Sequence, residues 1–197
     1  MQVFLNSYLK IFFLLTPFFA VTMFLAMTGD FDEHKKHKLA LKVTMAVIIT
    51  CITIYLFGRV VFTIFGITLD AFRIGAGVLL FISAISLVQG APVKEEKKES
   101  GDISVVPLAI PITVGPATIG ALLVMGAEPN VAPATKMLSV AGLVCATLSV
   151  GALLYTAGWL ERWMGHTRLT ILSKLTGLIL ASIAAQMIFT GIRGFLG

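Results

Sequence analysis

The chain has 197 residues, a mean hydropathy of +0.96 and 13% charged residues, against roughly 25% in a soluble domain. A surface this apolar is tolerated only by lipid, which excludes an ordinary soluble protein. The net charge of +5 comes from short segments between apolar runs, with no basic face and no interleaved aromatics, so nucleic acid is excluded as a partner.

Apolar runs lie at 7–28, 39–57, 71–89, 103–126, 137–159 and 172–195. Each approaches the roughly 20 residues that cross a hydrocarbon core. Backbone groups in lipid must be satisfied within the chain, so these runs predict helices, and the alternation of a barrel is absent. The expected fold is an all-α membrane protein of six transmembrane helices embedded in the lipid bilayer.

Span one has Lys10 as its only charge, and Ile11–Thr28 is long for a signal segment and ends without a small-x-small site. It is therefore expected to stay as a span. Within it, Thr16-Pro17 predicts a break. Thr is a good N-cap, and Pro suits the first position of a new helix. The loop 29–38 holds Asp30, Asp32, Glu33, His34 and His37, read as a solvated interfacial loop and not as a metal site. Cys51 in span two and Cys145 in span five lie inside apolar runs without C-x-x-C spacing, so no redox pair is indicated. In span three, Gly75 and Gly77 are expected to allow close helix approach, with Ser83 and Ser86 as small packing residues.

Residues 90–102, GAPVKEEKKESGD, read as a charged cytoplasmic linker. Span four then carries Pro107, Pro111 and Pro116 within SVVPLAIPITVGPATIG. Each proline removes a helix donor and crowds the preceding turn. The predicted break falls at Thr113–Gly115, with a half-helix starting at Pro116. Span five ends in Tyr155, Trp159 and Trp163, as an interfacial aromatic belt should. Span six carries Gln186 as its one deep amide, expected to bond between helices or to touch a solute.

The loops 29–38, 90–102 and 160–171, with Lys42 and Lys174 beside them, hold most of the Lys and Arg. The positive-inside rule places those loops in the cytoplasm and both termini outside. The halves match weakly at a shift of 100 residues: Gly77 over Gly177, Ala84 over Ala184, Gly58 over Gly158 and Leu69 over Leu169. At a shift of 99, Thr16-Pro17 falls on Gly115-Pro116. Three spans is an odd number, so the halves would be inverted repeats, 1–89 and 103–197, in a single membrane domain of 1–197. Two half-helix N-termini would then meet near the midplane, offering unpaired N–H groups to an anionic group such as a carboxylate. The predicted solute-binding set is Thr16, Pro17, Thr22, Thr113, Gly115, Pro116, Thr118 and Gln186. No charge appears deep in a span, which favours a neutral or zwitterionic solute. No Ser/His/Asp, Cys/His or H-E-x-x-H constellation is present, so no enzyme activity, metal or cofactor is expected.

At VPLAIPITVGPATIG, Val106 to Gly120, and at QMIFTGIRG, Gln186 to Gly194, the chain resembles the MarC family, also called the UPF0056 membrane proteins. The resemblance covers nearly the whole chain. It implies a six-helix inner-membrane protein, grouped with LysE-type exporters and in one branch with neutral amino-acid transporters. Family members carry D-P-x-G-x-x-P in span one; here the stretch is Thr16-Pro17-Phe18-Phe19-Ala20-Val21-Thr22, which keeps only Pro17. If that Asp serves proton coupling in the family, its replacement by Thr16 puts that route in doubt here, and Phe19 implies a narrower site. The expected function is a secondary transporter of a small neutral solute. The competing expectation is a non-transporting membrane scaffold or accessory subunit.

Overall fold

A computed structural model describes residues 2–90, 113–129 and 131–196, with the backbone alone at Arg59 and His166. The linker from residue 91 to 102, the first half of span four at 103–112 with Pro107 and Pro111, and the boundary between the two halves lie outside the described residues.

Among the described residues the structure is helical throughout: α1 (Gln2–Leu14), α2 (Pro17–Met27), α3 (Glu33–Phe65), α4 (Leu69–Gln89), α5 (Pro116–Ala127), α6 (Pro133–Tyr155) and α7 (Ala157–Leu196). Among the described residues, five stretches are long and apolar enough to cross a membrane: Gln2–Met27, Glu33–Gly58, Leu69–Gln89, Pro133–Tyr155 and Thr167–Leu196. Pro116–Ala127 is a shorter apolar helix. Large apolar side chains such as Ile49, Leu56, Ile64, Ile82 and Phe189 point outward, which suits a hydrocarbon surround and would be a liability in water.

Local chemistry sets the helix ends. The Asp32 carboxylate accepts from the Lys35 N–H at 3.3 Å and starts α3. His34 and His37 therefore sit in the first turns of a helix, where the sequence pattern suggested a loop, and His37 stacks on Tyr155 with ring centres 4.1 Å apart. Gly66, at φ 61°, ends α3 in the left-handed conformation that glycine adopts at least cost. The Thr68 hydroxyl then caps α4 by accepting from the Ala71 N–H.

The expected loop 160–171 is also largely helical. The only interruption is Gly165, at φ 75° and ψ 157°. Ala157 and Leu160 pack into the core while Trp159 and Trp163 stack on each other outside it. One apolar side and one aromatic side suffice to hold this segment as a helix along the bundle's edge.

Among the described residues the buried core forms two clusters. A large cluster joins Ile11, Leu15, Phe24, Val43, Val47, Leu122, Leu143 and Val150 from α1, α2, α3, α5 and α6. A smaller one joins Leu14, Leu80, Ala84, Ala117, Ala121, Leu180 and Ala184 from α1, α4, α5 and α7. Small residues in the second cluster let α4 and α7 approach closely. A Cβ on Gly77 would lie 3.1 Å from the Ala184 carbonyl oxygen, and one on Gly177 would lie 3.0 Å from that of Ala84. Gly75 is different: an added Cβ there meets nothing within 4 Å. Two residues from Gly77, it lies on the opposite side of the helix and is not a contact glycine.

Other matches at the shift of 100 do not carry over into equivalent contacts. Gly58 faces the α5 backbone at Leu123 and Ala127, whereas Gly158 meets only the Glu33 carboxylate. Leu169 is buried and Leu69 is half-buried.

Candidate functional site

The helix break in span one is present. The Leu15 N–H still bonds back to Ile11, and the Thr16 N–H reaches Phe13 at 3.0 Å. The chain then turns through Thr16 at φ 46° and ψ 59°, and Pro17 opens α2. Left-handed backbone at a β-branched residue ahead of proline is strained. Thr16 thus closes α1 and begins α2 at once. Its hydroxyl makes no capping bond, contrary to the N-cap role its type suggested, because the left-handed turn differs from the extended conformation from which a capping side chain reaches N2 or N3.

The start of α5 matches the expectation at Pro116. Gly115 is the N-cap in extended backbone, and no side chain caps this helix either. The first N–H groups of α2 and α5 therefore lack intrahelical and side-chain cap partners, and each end carries partial positive charge.

One hydrogen bond joins the two breaks. The Thr118 hydroxyl, in the first turn of α5, donates to the carbonyl oxygen of Leu14 at 2.9 Å, and the bond is buried. Pro17 and the turn at Thr16 free that carbonyl from the regular ladder. Around it lies the second apolar cluster of Leu80, Ala117, Ala121 and Leu180.

Cavities lie on both sides of this junction, and Leu14 lines both. The first, about 480 Å³, is lined by Thr16, Phe19, Thr22, Ser83, Ser86, Thr113, Gly115, Pro116, Thr118, Thr170, Ser173 and Lys174. The second, about 380 Å³, is lined by Lys10, Tyr55, Arg73, Glu128, Thr135, Lys136, Ser139, Gln186 and Thr190. Helix α4 contributes its C-terminal half to the first and Arg73 from its start to the second. Helix α7 does the converse, with Thr170 to Lys174 in the first and Ile183 to Thr190 in the second. The cavities therefore face opposite ends of the bundle. The first is called here the loop-side cavity and the second the termini-side cavity.

Of the eight predicted residues, Thr16, Thr22, Thr113, Gly115, Pro116 and Thr118 come together on the loop-side cavity. Pro17 is buried and does not line it. Gln186 lies on the other cavity, since its position along α7 puts it more than a turn beyond Leu180. Ser83 and Ser86 line the loop-side cavity and are not packing residues; their spacing of three already placed them on one helix face. Phe19 also reaches this wall. Chemically, the cavity offers a row of hydroxyls, two uncapped helix N-termini and Lys174, with no carboxylate among its described lining residues. Such a surface suits a carboxylate or another small polar group.

Lys10 is the only charge in span one. Helix α1 begins at Gln2, so Lys10 stands only one turn before Leu14 and lines the termini-side cavity. In that cavity Arg73 donates to Asp70 at 2.6 Å and to both oxygens of Glu128 at 2.7 Å, linking α4 to the end of α5.

The family model described as MarC family integral membrane protein matches residues 1–196. The chain is 32% identical to the UPF0056 membrane protein MJ1677 of Methanocaldococcus jannaschii, over 100% of this chain and 98% of that protein. It is 30% identical to the UPF0056 membrane protein YhcE of Escherichia coli, over 98% of this chain and 93% of that protein. It is 27% identical to the UPF0056 membrane protein YvbG of Bacillus subtilis, over 96% and 93% respectively. No solved structure matches the chain.

Proposed function

The chain belongs to the MarC family of integral membrane proteins, and from that premise we propose that it is a secondary transporter of a small neutral or zwitterionic solute, a neutral amino acid in the simplest case. It works in the inner membrane with both termini outside, as the placement of Lys and Arg favours. It is a carrier and not an enzyme.

The solute sits in the loop-side cavity, with its carboxylate at the N-terminal ends of α2 and α5 and its polar hydrogens on the hydroxyls of Thr22, Thr113 and Thr118. Two inverted three-helix halves rock about the small-residue crossing of α4 and α7, opening one cavity as the other closes. The reciprocal approach of Gly77 to Ala184 and of Gly177 to Ala84 supports that symmetry.

The observation that carries the reading is the junction at Leu14. This one residue lines both cavities, and its carbonyl is held by Thr118. A thin, hydrogen-bonded septum between two oppositely directed cavities is the arrangement alternating access requires.

The test is counterflow in proteoliposomes. Liposomes preloaded with a neutral amino acid should accumulate the labelled compound transiently and saturably. Gly115→Phe should abolish this while the protein still inserts. If no neutral amino acid gives counterflow, the scaffold or accessory-subunit reading replaces the carrier.

A further inference from the structure

The termini-side cavity has a charge pattern that the loop-side cavity lacks. Three cations line it: Lys10, Arg73 and Lys136. Arg73 is committed to Asp70 and Glu128. Lys10 and Lys136 make no ion pair among the described residues, so the cavity keeps a positive excess. A cleft between low-dielectric walls focuses such a field and concentrates anions.

Lys10 is the better placed of the two. It lies four residues before Leu14, on the same face of α1, and about 6 Å from it along the helix axis. Gln186 and Thr190, one turn apart on α7, add an amide and a hydroxyl to the same cavity. A lysine in a membrane helix, one turn from the break and facing a cavity, is placed for function more than for packing.

We propose that Lys10 is the carboxylate-recruiting residue of the termini-side cavity: it binds the carboxylate of a small solute there, before that group passes Leu14 to the N-terminal ends of α2 and α5. This deepens the carrier reading and rests on it for the passage of solute from one cavity to the other, but the binding itself can be measured without transport.

Purified protein in detergent at low ionic strength is titrated with alanine, propionate and alaninamide, and thermal unfolding is followed. A ligand that binds only the folded state raises the apparent stability. Alanine and propionate should protect; alaninamide, which has no carboxylate, should not. Lys10→Gln should weaken alanine binding by about tenfold or more, the usual scale for losing a charge-assisted hydrogen bond. Lys10→Arg should restore most of it. Equal protection of the wild type and Lys10→Gln by alanine overturns the proposal, as does protection by alaninamide equal to that by alanine, or no protection of the wild type by any carboxylate. The same two variants are run in counterflow. Lys10-dependent binding without counterflow keeps this site and removes the carrier. Counterflow unaffected by Lys10→Gln keeps the carrier and removes this site.

Discussion

The Thr118 hydroxyl donates to the Leu14 carbonyl oxygen at 2.9 Å, so the first turn of one half-helix holds the last residue of another. Both residues are almost fully buried. Thr118→Val keeps the shape and removes the donor, leaving a buried carbonyl without its partner. Unfolding in detergent should show a loss of about 1–2 kcal/mol, and Thr118→Ser should recover most of it. Equal stability of the Val and Ser variants would show that the bond contributes nothing.

The α4–α7 crossing gives a second prediction. A side chain at Gly77 or Gly177 meets a facing backbone carbonyl at about 3 Å. Gly77→Val and Gly177→Val should each cost about 1–3 kcal/mol, the range for overpacking a tight contact. Gly75→Val, with nothing within 4 Å, should be close to neutral. Thermal unfolding of the three variants side by side checks the ranking.

Thr16 supplies a prediction of opposite sign. Its left-handed backbone, φ 46°, is costly for a β-branched residue. Asn tolerates that conformation better, so Thr16→Asn should stabilise the protein by about 1 kcal/mol. A lower melting temperature for Thr16→Asn would mean that the Thr16 methyl or hydroxyl makes a contact worth more than the strain.

Arg73 and Glu128 connect α4 to the end of α5 across 55 residues of sequence. Glu128 is 44% exposed, so solvent screens the pair and its worth is modest. A double-mutant cycle with Arg73→Gln and Glu128→Gln should give a coupling of about 0.5–1 kcal/mol that shrinks as salt is raised. A coupling unaffected by salt would contradict the screened geometry.

Much of this was legible in the residues. Thr16-Pro17 and Gly115-Pro116 announced the two helix starts, because proline lacks a donor and fixes its own φ. Gly77 and Gly177 announced the close crossing. Other features were not legible. Lys10 stands out as the only charge in span one, but the side of α1 that it takes, and so its place on a cavity, depends on helix packing that composition does not fix. Gln186 lies beyond Leu180 along α7 and so falls on the far side of the Leu14 junction; where along α7 that junction sits depends on how the helices cross, which composition does not fix. Arg73 and Glu128 meet only through the packing of α4 beside α5. Thr16 has the side chain of an N-cap, but its left-handed turn serves the end of α1 as well, and no single-residue preference anticipates that.

In the proposed carrier, two oppositely facing cavities are separated by Leu14 and Thr118 and open in turn. Sided labelling is the sharpest check of that arrangement. Cys51 and Cys145 are replaced by Ser, and single cysteines are placed at Ser86, on the loop-side cavity, and at Gln186, on the termini-side cavity. A membrane-impermeant maleimide is then applied from each side of sealed, oriented vesicles. The two positions should label from opposite sides, and a carried solute should shift their rates in opposite directions. Labelling of both from one side, or rates that stay the same with every solute that gives counterflow, would contradict it.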